Sequence, residues 1–470
     1  MEEQYDFVVI GGGSAGYAAA RTAHEEGLKT AVIDGSERLG GLCILRGCMP
    51  SKTLIESANR FRSMRRAGEF GLSADKLAAD PEKIVKRQRS LINEFASYRA
   101  EQLEDGRFDL IRGNAIFSGS HELSVKLLDG GDEQLVRFKS ACVATGSKVT
   151  RVTIPGLEEA GYWTSNEILE AEELPDSFVV LGGGAIALEM ACYLEGLNKE
   201  VTVIQRSDQL LSGTDKDVAD ALAGAISARD NLTLYTGTEL KEVSVNNDGE
   251  KRVRFLHDGG EVEVGADQIV QALGRSPNNG NLGLEKAGIG LASNGKHIAC
   301  DSEQRTSQEH IFAAGDTCGP LEVVHIAIDQ GEIAANNAAV LLGGKKEIRH
   351  FDSRLKLLGI FTDPQVATVG ISENEAAKAG RKVKAASYPF NDHGKSMVMG
   401  ETEGFVKLIA DCETRELVGA AVIGPEAVDL IHEIVVALYF RAKPDDFIKI
   451  PHYHPTLSEI WTYPAEDLLF

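Results

Sequence analysis

Two cysteines five residues apart, Cys43 and Cys48, stand in the run Gly40-Gly41-Leu-Cys43-Ile-Leu45-Arg-Gly47-Cys48-Met-Pro50-Ser-Lys52. Thiols so placed can hold a metal or trade two electrons by opening and closing a disulfide. A tetrahedral metal site wants a further Cys or His pair at ligand spacing, and none is nearby. In a regular helix this spacing separates the Cα atoms along the axis by about 7.5 Å, beyond the roughly 7 Å that a disulfide tolerates. Gly47 supplies a break between the cysteines, and Pro50 suits the first turn of a helix. The pair reads as a redox center positioned to open and close. The other five cysteines, Cys142, Cys192, Cys300, Cys318 and Cys412, are scattered and read as small core residues.

Electrons passing through such a pair need a source, and two glycine-rich turns supply candidates. The first follows Asp6-Phe-Val-Val-Ile10 and reads Gly11-Gly-Gly13-Ser14-Ala15-Gly16, leading into an alanine-rich helical pattern and a short strand, 30–33. The second follows Phe178-Val-Val-Leu181 and reads Gly182-Gly-Gly184-Ala-Ile186-Ala187, leading into a helical run and the strand 201–204. Strand, tight turn, helix, strand is the dinucleotide-binding unit. Missing side chains let the backbone approach a pyrophosphate, and the helix N-terminus offers free N–H groups and a positive dipole end. One such motif is weak; two in this context point to two nucleotides. A dithiol and a nicotinamide exchange electrons poorly without an intermediary, which a flavin provides. The first unit adjoins the cysteines, so it is the expected flavin site. Asp34, at the end of its second strand, can accept from ribose hydroxyls, or it merely begins the turn Asp34-Gly-Ser36.

These elements sit in a chain of 470 residues with 49 basic and 71 acidic side chains, a net charge of −22. That length exceeds one hydrophobic core, so two to four domains are expected. The acidic balance argues against nucleic acid or an anionic membrane as partner. The start carries no basic leader, no apolar run approaches the roughly 18 residues of a membrane span, and unpaired thiols suit a reducing compartment. A cytoplasmic enzyme is expected. From residue 351 the pattern changes to alternating strands, with a hairpin over 407–423 and a long helix over 427–441, an α+β domain. The charged segment 57–107 reads as a solvated helix pair.

Further segments bring a resemblance into view: Ala144-Thr145-Gly146, Leu273-Gly274-Arg-Ser-Pro-Asn278, Thr306 with Ile311-Phe-Ala-Ala-Gly-Asp316, Phe361-Thr-Asp-Pro364 and His454-Pro-Thr-Leu-Ser-Glu459. Over nearly its whole length the chain resembles the pyridine nucleotide–disulfide oxidoreductases, a family that includes dihydrolipoyl dehydrogenases, glutathione reductases and mercuric reductases. The resemblance implies an α/β fold with two Rossmann-like dinucleotide-binding domains and a C-terminal α+β dimerisation domain. The implied boundaries are 1–150 for FAD, 151–278 for NAD(P), 279–350 completing the FAD site and 351–470 for dimerisation. It implies FAD at Gly11, Gly13, Ser14, Ala15, Gly16, Asp34, Gly41, Lys52, Ala115, Thr145, Gly146, Asp316, His325 and Ala327. The nicotinamide nucleotide falls to Gly182, Gly184, Ile186, Gln205, Arg206 and Gly274. Cys43 is then the outer thiol that meets substrate and Cys48 the inner thiol against the flavin. Lys52 pairs with Glu189, which on helical pattern alone reads as an exposed residue. His454 becomes the general base and acid, oriented by Glu459 and reaching the cysteines of a second subunit, so a homodimer is implied. His325 and His452 match positions common in dihydrolipoyl dehydrogenases but gain no catalytic role, and His310 and His350 read as surface residues.

Departures bear on substrate. Leu45 stands where relatives commonly carry asparagine. The chain lacks the C-terminal cysteine pair of mercuric reductases, a leading metal-binding or lipoyl domain, and a recognisable glutathione-holding set. That favours a dihydrolipoyl group, free or borne on a protein. The alternatives are an NADPH-dependent reductase of a small disulfide or metal ion, and a flavoprotein transhydrogenase, against which the retained cysteine pair argues. NAD-preferring relatives usually end the second unit's second strand in glutamate. Gln205-Arg206 here, with Ala187 at the third glycine, leans toward NADPH; the alternative is that Arg206 is a surface arginine.

Overall fold

The computed structural model describes residues 3–131 and 133–469. They form two compact units, the first made of Met1–Ser51, Lys86–Thr150 and Arg275–Asp352. Its six-stranded sheet is parallel where the motifs lie. β1 (Glu3–Ile10) runs parallel to β2 (Thr30–Asp34), with Ile10 opposite Ile33, and parallel to Glu133–Val143, with Ile10 opposite Val143. Ile311–Ala313 joins in parallel, Ala313 opposite Val143. Strands covered on both faces need unbroken apolar runs, hence Phe7-Val-Val-Ile10 without alternation. Asp109–Gly119, Glu122–Leu127 and Glu133–Val143 form an antiparallel meander. This register sends the residues after Ile10, Ile33, Val143 and Ala313 off the same carboxyl edge of the sheet, where open α/β sheets bind ligands.

After β1 comes α1 (Ser14–Glu25), packed on the helix Val324–Leu341. The two backbones touch: a β-carbon at Gly331 would collide with the carbonyl oxygen of Ala15. Beyond β2 the chain enters α2 (Gly41–Arg46) and α3 (Cys48–Arg65), separated by Gly47.

The second unit comprises Lys52–Val85, Arg151–Gly274 and Ser353–Phe470. Its parallel sheet has the order Gln268–Gln271, Ser177–Leu181, Glu200–Ile204, Leu232–Tyr235. The helix Ala185–Gly196 follows the second glycine turn and is buried from Ala187 onward. A five-stranded antiparallel sheet includes the hairpin Phe405–Asp411 and Leu417–Gly424. Two charge networks lie within this unit. Glu195 binds Arg62 and Arg229, which also hold Asp363, and the buried Lys407 ammonium meets Asp215, Asp217 and Glu373.

Three expectations are corrected. The long helix over 427–441 is Ala427–Leu430 and His432–Tyr439, interrupted at Ile431, which keeps right-handed helical angles. The helix pair between 57 and 107 is amphipathic, not merely solvated: α3 buries Ala58 there, and Pro81–Glu104 buries Val85, Ile92, Ala96 and Leu103. Of the scattered cysteines, Cys142, Cys192 and Cys318 are buried, but Cys300 is half-buried and Cys412 exposed. No helix among the described residues is long and apolar enough to cross a membrane.

Candidate active site

The cysteine pair is built around glycine. Gly41 adjoins Gly13 so closely that a β-carbon on it would stand 2.6 Å from the Gly13 Cα, and its φ of +71° suits glycine alone. The first glycine turn and the start of α2 are thus packed backbone to backbone. Cys43 lies in α2 and Cys48 opens α3, both half-buried and near one another. At Gly47, between them, a β-carbon would be 3.0 Å from Leu42 O and 3.2 Å from the Cys43 Cα. The expected break is therefore a place where the chain doubles back within van der Waals contact of the first cysteine. Leu45, the departure, packs its side chain over Gly40.

The two glycine turns have matching geometry. Gly11 and Gly182 have φ of 104° and 122°, and a β-carbon on either would strike a carbonyl of the next parallel strand's end, Ala144 O or Ala272 O. A β-carbon on Gly12 would be 2.9 Å from Asp34 Oδ2; on Gly183, 2.8 Å from Gln205 Cγ. Asp34 and Gln205 thus occupy equivalent places beside their turns. No side chain caps α1 or the helix Ala185–Gly196, whereas Thr164 and Ser372 close capping boxes on other helices. Uncapped first turns beside side-chain-free loops fit the pyrophosphates of two dinucleotides. Gly184 caps the second helix, Ile186 follows within its first turn, and Gly274 stands just past the neighbouring strand with nothing near its Cα hydrogens.

Asp34 begins its turn and also holds the first glycine turn. Its Oδ2 accepts from Gly12 N–H at 2.8 Å, tying β2 to the turn, while Oδ1 accepts from Ser36 N–H at 2.8 Å. Arg112 stands 3.4 Å from the same carboxylate. At the sheet edge, Ser147 Oγ donates to Asp316 Oδ2 at 2.6 Å and Arg275 Nε donates to Ser147 Oγ at 2.8 Å. Burial lowers the Arg275 guanidinium while Asp316 pulls it back up. Thr145 Oγ1 and Thr317 Oγ1 are 3.3 Å apart, and Asn278 N–H donates to Gly146 O. A β-carbon on Gly315 would touch those of Ala15 and Ala327 at 3.4 Å, so these three meet. His325 is exposed in the first turn of Val324–Leu341, and Ala115 is buried in the strand Asp109–Gly119.

In the second unit, Lys52 Nζ donates to both Glu189 oxygens, at 2.9 and 2.8 Å. Glu189 is buried, which overturns its pattern-based reading as exposed. A second donor was not foreseen: Phe361 N–H reaches Glu189 Oε1 at 3.0 Å, and the Phe361 ring lies 4.8 Å from the Lys52 ammonium. His454 is exposed and its Nδ1 faces Glu459 at 2.9 and 3.2 Å. The carboxylate fixes the tautomer, leaving Nε2 to take or give a proton. Behind it, the buried His393 brings Nε2 to 3.5 Å from Glu459 Oε1, while its Nδ1 meets Ser396 Oγ. Burial lowers the His393 imidazole's pKa against the pull of Glu459. His452 is occupied at both nitrogens, by Glu433 and Ile450 O.

The sequence reading also missed Arg99, whose guanidinium lies 4.1 Å over the Tyr17 ring and within electrostatic reach of Cys43. Nothing near it in the chain marks it. Gln205 is half-buried, and Arg206 beyond it is exposed with no ion pair among the described residues. His310, expected at the surface, is half-buried and stacks on His121 at 3.9 Å. Among the described residues no three His, Cys, Asp or Glu side chains group to hold a metal.

Comparison with known proteins agrees with this geometry. Residues 5–331 match the model of the pyridine nucleotide-disulphide oxidoreductases, and residues 358–465 match that family's dimerisation domain. A dihydrolipoyl dehydrogenase of Bacillus subtilis is 34% identical over 469 residues, covering 98% of this chain and 97% of that one. One from Chlamydia trachomatis is 36% identical over 477 residues, covering 99% and 97%. Among solved structures, the copper(II) complex of the HOCl-induced flavoprotein disulfide reductase RclA from Escherichia coli aligns with a TM-score of 0.85 at 25% identity, covering 99% of both chains. With both domains matched in order over most of its length, the chain belongs to the pyridine nucleotide-disulphide oxidoreductase family, FAD-dependent enzymes that work with a nicotinamide and a dithiol or disulfide.

Proposed function

We propose that the enzyme oxidises a dihydrolipoyl group, free or carried on a protein, through Cys43 and Cys48. The full-length similarity to dihydrolipoyl dehydrogenases carries this reading, and the His454–Glu459 pair agrees with it. His454 Nε2 takes the proton of a substrate thiol. The thiolate attacks Cys43 Sγ of the Cys43–Cys48 disulfide and displaces Cys48 as thiolate. The second substrate thiolate then attacks the sulfur bound to Cys43, releasing oxidised substrate and leaving both cysteines reduced, with two electrons gained. FAD, when bound, carries that electron pair between Cys48 and the nicotinamide. Gly11, Gly13, Ser14, Ala15, Gly16 and Asp34 hold it at the first turn, with Gly41, Ala115, Thr145, Gly146, Asp316, His325 and Ala327 along its length. Lys52, its ammonium held by Glu189, would offer the flavin a fixed cation.

Gly182, Gly184, Ile186, Gln205, Arg206 and Gly274 hold the nicotinamide nucleotide, with a lean to NADPH. Gln205 removes the negative charge that would repel a 2′-phosphate, and the exposed Arg206, with no ion pair among the described residues, can meet one. The working form is a homodimer whose two chains share each active site. Large apolar side chains exposed in the dimerisation domain, Val436, Tyr439, Phe440 and Tyr453, favour a covering partner. The thiol chemistry suits the reducing cytoplasm.

A panel of dihydrolipoamide, glutathione disulfide, hydroxyethyl disulfide and Hg(II), each run with both nicotinamides, tests these readings. Dihydrolipoamide should have the highest kcat/KM; a higher value for another substrate removes the dihydrolipoyl reading. Arg206→Ala should lower kcat/KM for NADPH and spare NADH, and a strong wild-type preference for NADH would end the NADPH reading.

A further inference from the structure

The flavin unit holds a second thiol pair, distant in sequence from Cys43 and Cys48. Cys318 follows the turn Gly315-Asp316-Thr317 and is buried, while Cys300 is half-buried. Their sulfurs share one acceptor: Gln304 Oε1 lies 3.8 Å from Cys300 Sγ and 3.9 Å from Cys318 Sγ. Cys318 Sγ also lies 3.3 Å from Gly315 O, at the start of the same turn. Backbone bonds hold the two segments together, Ile298 N–H donating to Thr317 O at 3.0 Å and Ala313 N–H to Gln304 O at 3.0 Å. Gln304 is buried at φ 63°, a left-handed conformation uncommon for glutamine. That bend brings its amide oxygen to both sulfurs.

We propose that Cys300 and Cys318 are a second redox dithiol, closing to a disulfide by exchange with a low-molecular-weight disulfide and so tying the segment 298–305 to the turn that carries Asp316. The two thiols have unequal roles. The nearby Cys318 thiol lowers the Cys300 pKa, while the nearness of Cys300, with burial, raises Cys318. Cys300, half-exposed and the readier thiolate, attacks one sulfur of the small disulfide RSSR and expels RS⁻. Cys318 then gives up its proton, attacks Cys300 Sγ in the mixed disulfide and expels the second RS⁻. The balance is RSSR plus two protein thiols to one protein disulfide plus two RSH, two electrons passing to the small molecule. Cys142, the other thiol within electrostatic reach, is fully buried and pushed up to about 12 chiefly by that burial, so it stays protonated and takes no part.

The test uses the full-length, FAD-loaded protein with hydroxyethyl disulfide as oxidant, alkylation of remaining thiols under denaturing conditions, and peptide mapping by mass spectrometry. The expected result is loss of two alkylatable thiols, at 300 and 318, with a cross-linked peptide joining them that dithiothreitol reverses. The map distinguishes this bridge from one between Cys43 and Cys48. Alkylation of both residues after oxidation, or a stable mixed disulfide at Cys300 with Cys318 still alkylatable, overturns the proposal. Because the reading is made on the wild-type chain, it does not depend on a variant folding.

Discussion

At His454 the chemistry turns on which ring nitrogen is held. Glu459 accepts from Nδ1 at 2.9 Å, which leaves Nε2 of the exposed ring for the proton transfer proposed above. Replacing His454 by Gln should slow dithiol oxidation by about 10²–10⁴-fold while FAD content, read from the flavin absorbance, stays unchanged; an undiminished rate would remove the base assignment. The cysteines should separate by spectrum. Cys43→Ser should keep a long-wavelength thiolate–flavin band in the oxidised enzyme, and Cys48→Ser should lack it on reduction; the opposite pattern would exchange their roles. Spacing alone exposed this pair, because two thiols flanking a glycine are a local signal. Glu189 was hidden, because a helix pattern gives a period but not which neighbour covers each face.

At the scale of elements, close approach of backbones positions the first nucleotide turn. Gly331 lets Val324–Leu341 lie directly on Ala15, in the first turn of α1. Gly331→Ala must push the helices apart and should lower stability by about 1–3 kcal/mol, with weaker FAD retention. Gly224, exposed in the helix Lys216–Ser227 with open space at its Cα, is the control. Gly224→Ala should raise stability by about 0.5–1 kcal/mol. Equal effects from the two, measured by urea unfolding, would show that helix propensity and not the Ala15 contact governs Gly331. The strands, turns and first helix of each nucleotide unit were legible because contiguous residues specify them. The break at Ile431 was not, as no glycine or proline marks it.

For the molecule as a whole, buried charges set the response to acid. Burial opposes ionisation of Asp363, yet Arg62 and Arg229 hold its carboxyl below the ordinary 3.8. Asp215 is likewise lowered against burial, by the N–H groups of Asn374 and Glu373 and by Lys407. Groups lowered in the folded state contribute stability above the unfolded pKa and lose it as pH falls through the folded one. At Glu322, Glu401 and Glu403 burial outweighs the nearby cations and raises them above 4.5. These take up protons earlier in the folded chain, so mild acidification through their raised values stabilises it. Urea midpoints should therefore rise modestly as pH falls toward 4.5 and drop steeply below about 3.8. Asp363→Asn should blunt that drop; an unaltered profile would mean that the Arg62–Asp363–Arg229 cluster does not govern acid stability.

The amino-acid order was sufficient for the cysteine pair, both glycine turns and the family, since each is written in contiguous residues whose backbone demands are local. The tertiary fold alone joined Glu189 to Phe361, His393 to Glu459, Gly183 to Gln205, and Cys300 and Cys318 to the one amide oxygen of Gln304. Each of these contacts joins different segments, and short-range periodicity carries no information about which distant side chain will fill the space beside a given residue.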